Sequence, residues 1–245
     1  MKKEKNEFYL RNKDNFVRQF NSLVKVAKDI VSQNYNIEIT KDLIKKAQYQ
    51  FENVLLKLPY VGGIKSPFTS LMIQSAVTFV FYNTCKLINL SDREIGKLIY
   101  EIAEHEAQSI SPIKKWFYRK VIFSKNMKNR WRYWLMESKK NIYDRNWVGD
   151  FIESDRKTYD YGIDFTECGW LKLIENESMQ EFAPYVCLCD YARMRGIGIG
   201  FKRTKTIAAG AEICDFRFIK NYKTPKGWPP EDLEENKEFY AQLKK

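Results

Sequence analysis

The sequence predicts an α+β protein: an N-terminal helical part packed with a C-terminal, mainly antiparallel sheet that carries short helices. Two textures predict it. Over the first 140 or so residues apolar side chains recur at three- and four-residue steps, and after Asn141 they alternate with polar ones. Helices grouped ahead of strands, rather than alternating with them, favour a segregated sheet over a parallel α/β one.

Phe16, Phe20, Val24, Ala27 and Val31 share one helical face, and Ile44, Ala47, Phe51 and Leu55 share another, which predicts two amphipathic helices. Tyr60-Val61-Gly62-Gly63 breaks the pattern, and Ser66-Pro67 opens an apolar helix with proline in its first turn. The run from Phe68 to Leu90 holds Thr69, Ser70, Gln74, Ser75, Thr78, Asn83, Thr84 and Lys86, too many polar groups for a lipid-facing span. It reads as a core helix. Ser91-Asp92-Arg93-Glu94 has the form of a capping box opening a helix to about Gln108. Ser111-Pro112 then starts a basic segment of one helix or two.

Trp147 to Glu153 and Tyr159 to Thr166 alternate as half-buried strands do. Short helices are expected over 169–175 and 179–193, followed by strands over 197–204 and 213–218. Pro225, Pro229 and Pro230 among many charges give residues 221–245 the character of a surface tail. The organisation is thus a helical region (1–145), a sheet-containing region (146–220) and the tail, within one integrated domain.

A chain of 245 residues with 44% hydrophobic and 15% aromatic side chains has ample material for a packed core. Its five cysteines, Cys85, Cys168, Cys187, Cys189 and Cys214, are an odd number in a chain that needs no staples, so reduced thiols are expected. Met1-Lys2-Lys3-Glu4-Lys5 does not read as a secretory signal, and the expected compartment is the cytoplasm. The net charge of +11 is concentrated: Lys114 to Lys140 carries ten Lys or Arg against Glu137 alone, interleaved with Trp116, Phe117, Tyr118, Phe123, Trp131, Tyr133 and Trp134. Helical spacing lets such aromatics pack inward while the cations stay wet, and no nucleic-acid motif accompanies them. Neither a membrane nor a nucleic-acid partner is therefore expected, and a homo-oligomer is compatible with the sequence.

The residues that can carry chemistry fall late in the chain. Cys168 ends a strand, Cys187-Leu188-Cys189-Asp190-Tyr191 lies on a helix, Arg203-Thr204-Lys205-Thr206 ends a strand, and Ala208-Ala209-Gly210 precedes Cys214-Asp215-Phe216-Arg217-Phe218. This order of motifs, over residues 147 to 220, resembles the L-2-amino-thiazoline-4-carboxylic acid hydrolase family. Cys189 and Ala211 depart from the pattern. The resemblance implies a cofactor-free hydrolase with a small-molecule substrate, one that opens a 2-amino-thiazoline-4-carboxylate ring to an N-carbamoyl-cysteine.

In such a ring the carbon between sulfur and nitrogen is isothiourea-like: a nucleophile must add to it and sulfur must leave as thiolate. Water activated by Asp190 or Asp215 is one route. Attack by a cysteine is the other, with Cys187 the first candidate, Cys214 the second and Cys168 the third. Arg203 is placed to pair the substrate carboxylate in bidentate fashion, and Thr204, Thr206, Tyr191 and Cys168 to line the substrate. His105, on a helix among acids, is a candidate general base.

Each of these residues also has a plain structural reading. Free cysteines are often buried hydrophobes, the two aspartates can pair with Arg203 and Arg217, and Gly210 suits a turn of positive φ. Cys187 and Cys189 are spaced unlike zinc ligands, so no metal is expected. Gly196, Gly198 and Gly200 lead into a strand rather than a helix and suit a turn, not a dinucleotide loop. The alternative to a hydrolase is a non-catalytic small-ligand binder or sensor on the same scaffold, and, third, a nucleic-acid or membrane-surface binder using the basic segment.

Overall fold

A computed structural model describes residues 2–34, 37–140, 142–237 and 239. They form two compact units, Met1–Ile102 with Tyr143–Arg145, and Ala103–Ile142 with Asn146–Lys245. The fold is α+β, largely helical with a four-stranded antiparallel sheet.

The first unit is helical: α1 (Lys2–Arg11), α2 (Lys13–Asn34), α3 (Ile37–Leu55), α4 (Pro67–Lys86) and the start of α5 (Asp92–Ser109). Most of the predicted stripe residues enter its core, with Val24, Ala27 and Ile44 only half-buried. Phe16, Phe20 and Val31 of α2 are buried, as are Leu43, Ala47, Phe51 and Leu55 of α3, and the rings of Phe20 and Phe51 stack 4.3 Å apart. Ser66 caps α4 by accepting from the Phe68 N–H, and Pro67 fills the first turn, where a missing N–H costs nothing. Phe68, Met72, Ile73, Ala76 and Val80 bury α4. Among the described residues no helix is long and apolar enough to cross a membrane. The capping box at α5 is reciprocal: Ser91 N–H donates to Glu94 Oε2 at 2.8 Å, and Glu94 N–H donates to Ser91 Oγ at 3.3 Å.

The second unit holds the end of α5, α6 (Pro112–Ile122), α7 (Lys125–Ser138), strands β1 (Val148–Glu153) and β2 (Tyr161–Glu167), helices α8 (Gly169–Leu173) and α9 (Ala183–Ile197), and strands β3 (Phe201–Lys202) and β4 (Cys214–Phe218). The basic segment is two helices, parted at Ser124, whose hydroxyl accepts from the Met127 N–H. The sheet runs β1-β2-β4-β3, all antiparallel, with Phe165 opposite Cys214 and Gly162 opposite Arg217. Tyr161, buried in β2, stacks between Phe151 and Phe218 at 5.6 and 4.6 Å. Over this face α7 lays Arg132 on the Phe151 ring and Lys128 on the Tyr161 ring, while Arg132 also binds Glu153 through two 2.8 Å bonds.

Three details differ from the sequence reading. Pro184 stands in the first turn of α9, so this helix begins at Ala183 and runs on to Ile197. Gly198 ends it with φ near +79°, its N–H bonded to Met194 O, and this left-handed cap takes residues expected in a strand, leaving β3 two residues long. The described part of the expected surface tail, residues 221–237 and 239, is partly buried: Thr224, Leu233, Glu235 and Asn236 are buried, and Thr224 bridges Phe201 N and Ile199 O.

Phe51 is fully buried against Phe20, so Phe51→Ala is expected to lower the unfolding free energy by about 3–5 kcal/mol. Urea unfolding measures this, and a loss below about 1 kcal/mol would show that the site collapses to fill the space.

Candidate functional site

Alternation in β4 sorts the motif residues before any long-range contact does. Cys214 and Phe216 face α9, and Asp215 and Arg217 face the other side of the sheet. The predicted site therefore divides.

On the α9 side four sequence segments converge. Cys187 and Asp190 lie one turn apart on α9, Arg203 and Thr206 follow β3, Cys214 begins β4, and Cys168 precedes α8. Thr206 is fully buried, and its Oγ1 sits 3.5 Å from both Cys187 Sγ and Cys214 Sγ. The Ile207 N–H donates to Cys214 Sγ at 3.2 Å. Cys187, Cys168 and Asp190 are half-buried, so this cluster has a solvent-facing edge.

Its organiser is Arg203, whose side chain is 1% exposed. Nε and Nη2 donate to the two oxygens of Glu235 at 2.6 and 2.8 Å, Nη1 donates to Asp190 Oδ2 at 2.8 Å, and Nη2 also donates to Cys187 O at 3.0 Å. Rings of Phe216, Tyr191 and Phe201 surround the guanidinium at 4.9 to 5.7 Å. Tyr191 is buried with its hydroxyl 3.0 Å from Arg203 O and 3.2 Å from Glu235 Oε2. Arg203 thus lacks the open fork that a bidentate grip on a substrate carboxylate requires, and Tyr191 holds the arginine rather than facing a ligand. What Arg203 does is hold Asp190 through Oδ2, and Asp190 is the one member of this charge cluster that reaches solvent, at 32% exposure.

The electrostatics follow from this arrangement. Burial works against the charge on Arg203, but Glu235 and Asp190 outweigh it and hold the guanidinium firmly protonated. Two carboxylates already pair with that guanidinium, and its pull toward the thiolate forms of Cys187 and Cys214 is outweighed by burial. Burial pushes the Cys187 thiol well above its ordinary value despite Arg203, raises Cys214, and takes Cys168 up to about 12. All three rest as neutral thiols. Cys189, two residues from Cys187 and on the opposite side of α9, is buried apart from them, with its thiol raised to about 11. Among the described residues no three His, Cys, Asp or Glu converge as metal ligands would.

On the other side, Asp215 accepts from Thr204 N at 2.8 Å, Thr204 Oγ1 at 2.6 Å and Lys205 N at 2.6 Å. It clips the turn that carries Arg203 and Thr206 to their places. Arg217 pairs with Asp164 at 2.5 Å instead of Asp215. Thr204, Asp215, Lys202 and Arg217 line an open cleft of about 450 Å³ with Tyr159 and Tyr222. Gly210, at φ 94°, ends a short turn after Ile207, as its expected role requires. His105 is exposed on α5, 3.4 Å from Ser109 Oγ, and no hydrogen bond or ion pair among the described residues joins it to the thiol cluster.

Glu235 is the residue that sequence reasoning missed, because acidic residues in a proline-rich stretch read as a solvated tail. The one available signal was a need: a buried arginine requires a counter-charge beyond a half-exposed aspartate.

Two predictions follow from the geometry. Glu235→Gln leaves Arg203 buried with Asp190 alone, and a loss of about 3–5 kcal/mol in urea unfolding is expected, whereas a loss below about 1 kcal/mol would mean another group takes over the pairing. At about pH 8 the thiols of the folded protein should react with iodoacetamide at least about a hundredfold more slowly than those of the unfolded chain, since each is raised above its ordinary pKa. A fast-reacting Cys187 would overturn the neutral-thiol reading.

A model of the L-2-amino-thiazoline-4-carboxylic acid hydrolase family matches residues 73–218, more than half of the chain, and the match extends well N-terminal of the motif region into α4. No curated protein and no solved structure matches. The chain belongs to the L-2-amino-thiazoline-4-carboxylic acid hydrolase family.

Proposed function

We propose that this chain hydrolyses a small cyclic isothiourea of the 2-amino-thiazoline-4-carboxylate type to an N-carbamoyl-cysteine, with Asp190 as the general base. The observation that carries this reading is the half-exposed Asp190 carboxylate, held by a buried arginine beside three neutral thiols.

The chemistry fits those groups. Water loses a proton to the Asp190 carboxylate and its oxygen bonds to the ring carbon between sulfur and nitrogen. The tetrahedral adduct collapses with cleavage of the carbon–sulfur bond, and Asp190 returns its proton to the departing sulfur. Of the two protons of the water, one ends on that sulfur and the other on the ring nitrogen, and the oxygen becomes the carbamoyl carbonyl. Arg203 contributes by fixing the carboxylate in place, so no orienting cost falls on the reaction itself. The neutral thiols of Cys187, Cys168 and Cys214 supply a soft, polarisable wall suited to a ring sulfur.

This reading favours activated water over attack by cysteine, because an attacking thiol needs a lowered pKa and burial here acts in the opposite direction. Thr204 and Asp215 then serve the turn rather than the ring, and Thr206 orients the thiol wall.

Incubation with L-2-amino-thiazoline-4-carboxylate, followed by mass spectrometry, is expected to yield N-carbamoyl-cysteine. Asp190→Asn should lower kcat by about 10²–10⁴-fold, whereas Cys187→Ala should retain activity within about tenfold of the parent protein. Loss of turnover in Cys187→Ala with a trapped thiol adduct in the parent would replace water by cysteine as nucleophile. A ligand that raises the melting temperature without being consumed would make the chain a binder instead.

A further inference from the structure

Helix α6 breaks the rule that its composition suggested. Its aromatic residues were expected to pack inward, yet no residue of α6 is buried. Ile113 is 81% exposed, Trp116 56%, Phe117 57% and Tyr118 43%. At 100° per residue, Ile113, Trp116, Phe117 and Lys120 fall within one arc, so three large apolar side chains share the outward face with a cation. Lys120 Nζ lies 5.8 Å from the Trp116 ring centre. Lys114 stands beside this arc, and no Asp or Glu occurs between Ser111 and Met136.

The opposite side of the helix is anchored. Arg119 Nη1 donates to Ile197 O at 3.0 Å at the end of α9, and Lys115 Nζ donates to Gln108 O at 2.9 Å. The apolar face is therefore presented by a helix tied to its own unit rather than by a loose segment.

We propose that α6 is a docking surface for an anionic lipid bilayer, lying in the plane of the headgroups. Eleven residues make a helix about 16 Å long, too short to span about 30 Å of hydrocarbon but suited to lying in the interface. The arrangement matches what that boundary offers: Ile113 and Phe117 reach the acyl region, Trp116 sits at headgroup level, and the lysines meet lipid phosphate and carboxylate groups. A nucleic acid would satisfy the cations and stack on the rings, but it has no hydrocarbon phase to receive Ile113, the most exposed of the four. This inference is independent of the proposed hydrolysis, whose residues lie on other elements.

The test uses the full chain and sedimentation with phosphatidylcholine vesicles, with and without phosphatidylserine. Binding to the vesicles containing phosphatidylserine is expected, weakening as salt rises and absent with phosphatidylcholine alone. The double variants W116S/F117S and K114E/K120E should each reduce the bound fraction by about tenfold or more. Both alter exposed side chains, so an unchanged melting temperature verifies that the fold is intact. The proposal is overturned if anionic vesicles retain no protein at low salt, or if neither double variant reduces binding. It is also overturned if W116S/F117S converts a dimer to a monomer without affecting vesicles, or if single-stranded nucleic acid is retained more strongly than vesicles through the same residues.

Discussion

The buried guanidinium of Arg203 is the constraint on which the second unit depends. Taking that charge out of water costs several kcal/mol unless geometry compensates, and here the compensation is a two-point grip by Glu235, a bond to Asp190 and three surrounding rings. Three separate stretches are bound together by it: α9 through Asp190 and the Cys187 carbonyl, the segment after β3 through Arg203 itself, and the C-terminal stretch through Glu235. The C-terminal contribution lies beyond the residues that the family model matches.

The same cluster sets the character of the candidate site. Burial raises all three thiols, and for Cys187 and Cys214 it outweighs the opposing pull of the Arg203 guanidinium. In the proposed reaction, the carboxylate at the edge of this thiol-lined wall is the group that moves a proton to and from water. The division of β4 reinforces this: Cys214 joins the wall while Asp215, its immediate neighbour, spends three hydrogen bonds on shaping the turn. Two adjacent motif residues thus work on opposite sides of one sheet.

Much of the fold was legible in the chain because local rules dictate it. Phe16, Phe20, Phe51 and Leu55 could only be buried as stripes at helical spacing, and Ser66-Pro67 and Ser91 with Glu94 announce helix starts through backbone donors that only those side chains satisfy. Boundaries set by backbone geometry were harder to read. Gly198 could have continued a strand as easily as it caps a helix, and only the left-handed φ that α9 imposes on it decided the matter. The inward packing expected of the α6 aromatics failed because spacing states which side chains share a face, not whether anything covers that face.

The sequence by itself determined the α+β order of elements, the helical stripes, the strand alternation and the set of motif residues that mark the family, since each depends on neighbours within a few positions. Tertiary structure alone decided which motif residues meet. It joined Cys168, Cys187, Thr206 and Cys214, closed Arg203 to any ligand, turned Asp215 away, and brought Glu235 from the far end of the chain to a buried charge. The physical reason is that charge burial and pairing are long-range conditions: a guanidinium removed from water takes the carboxylates that the fold delivers, whatever their distance along the chain.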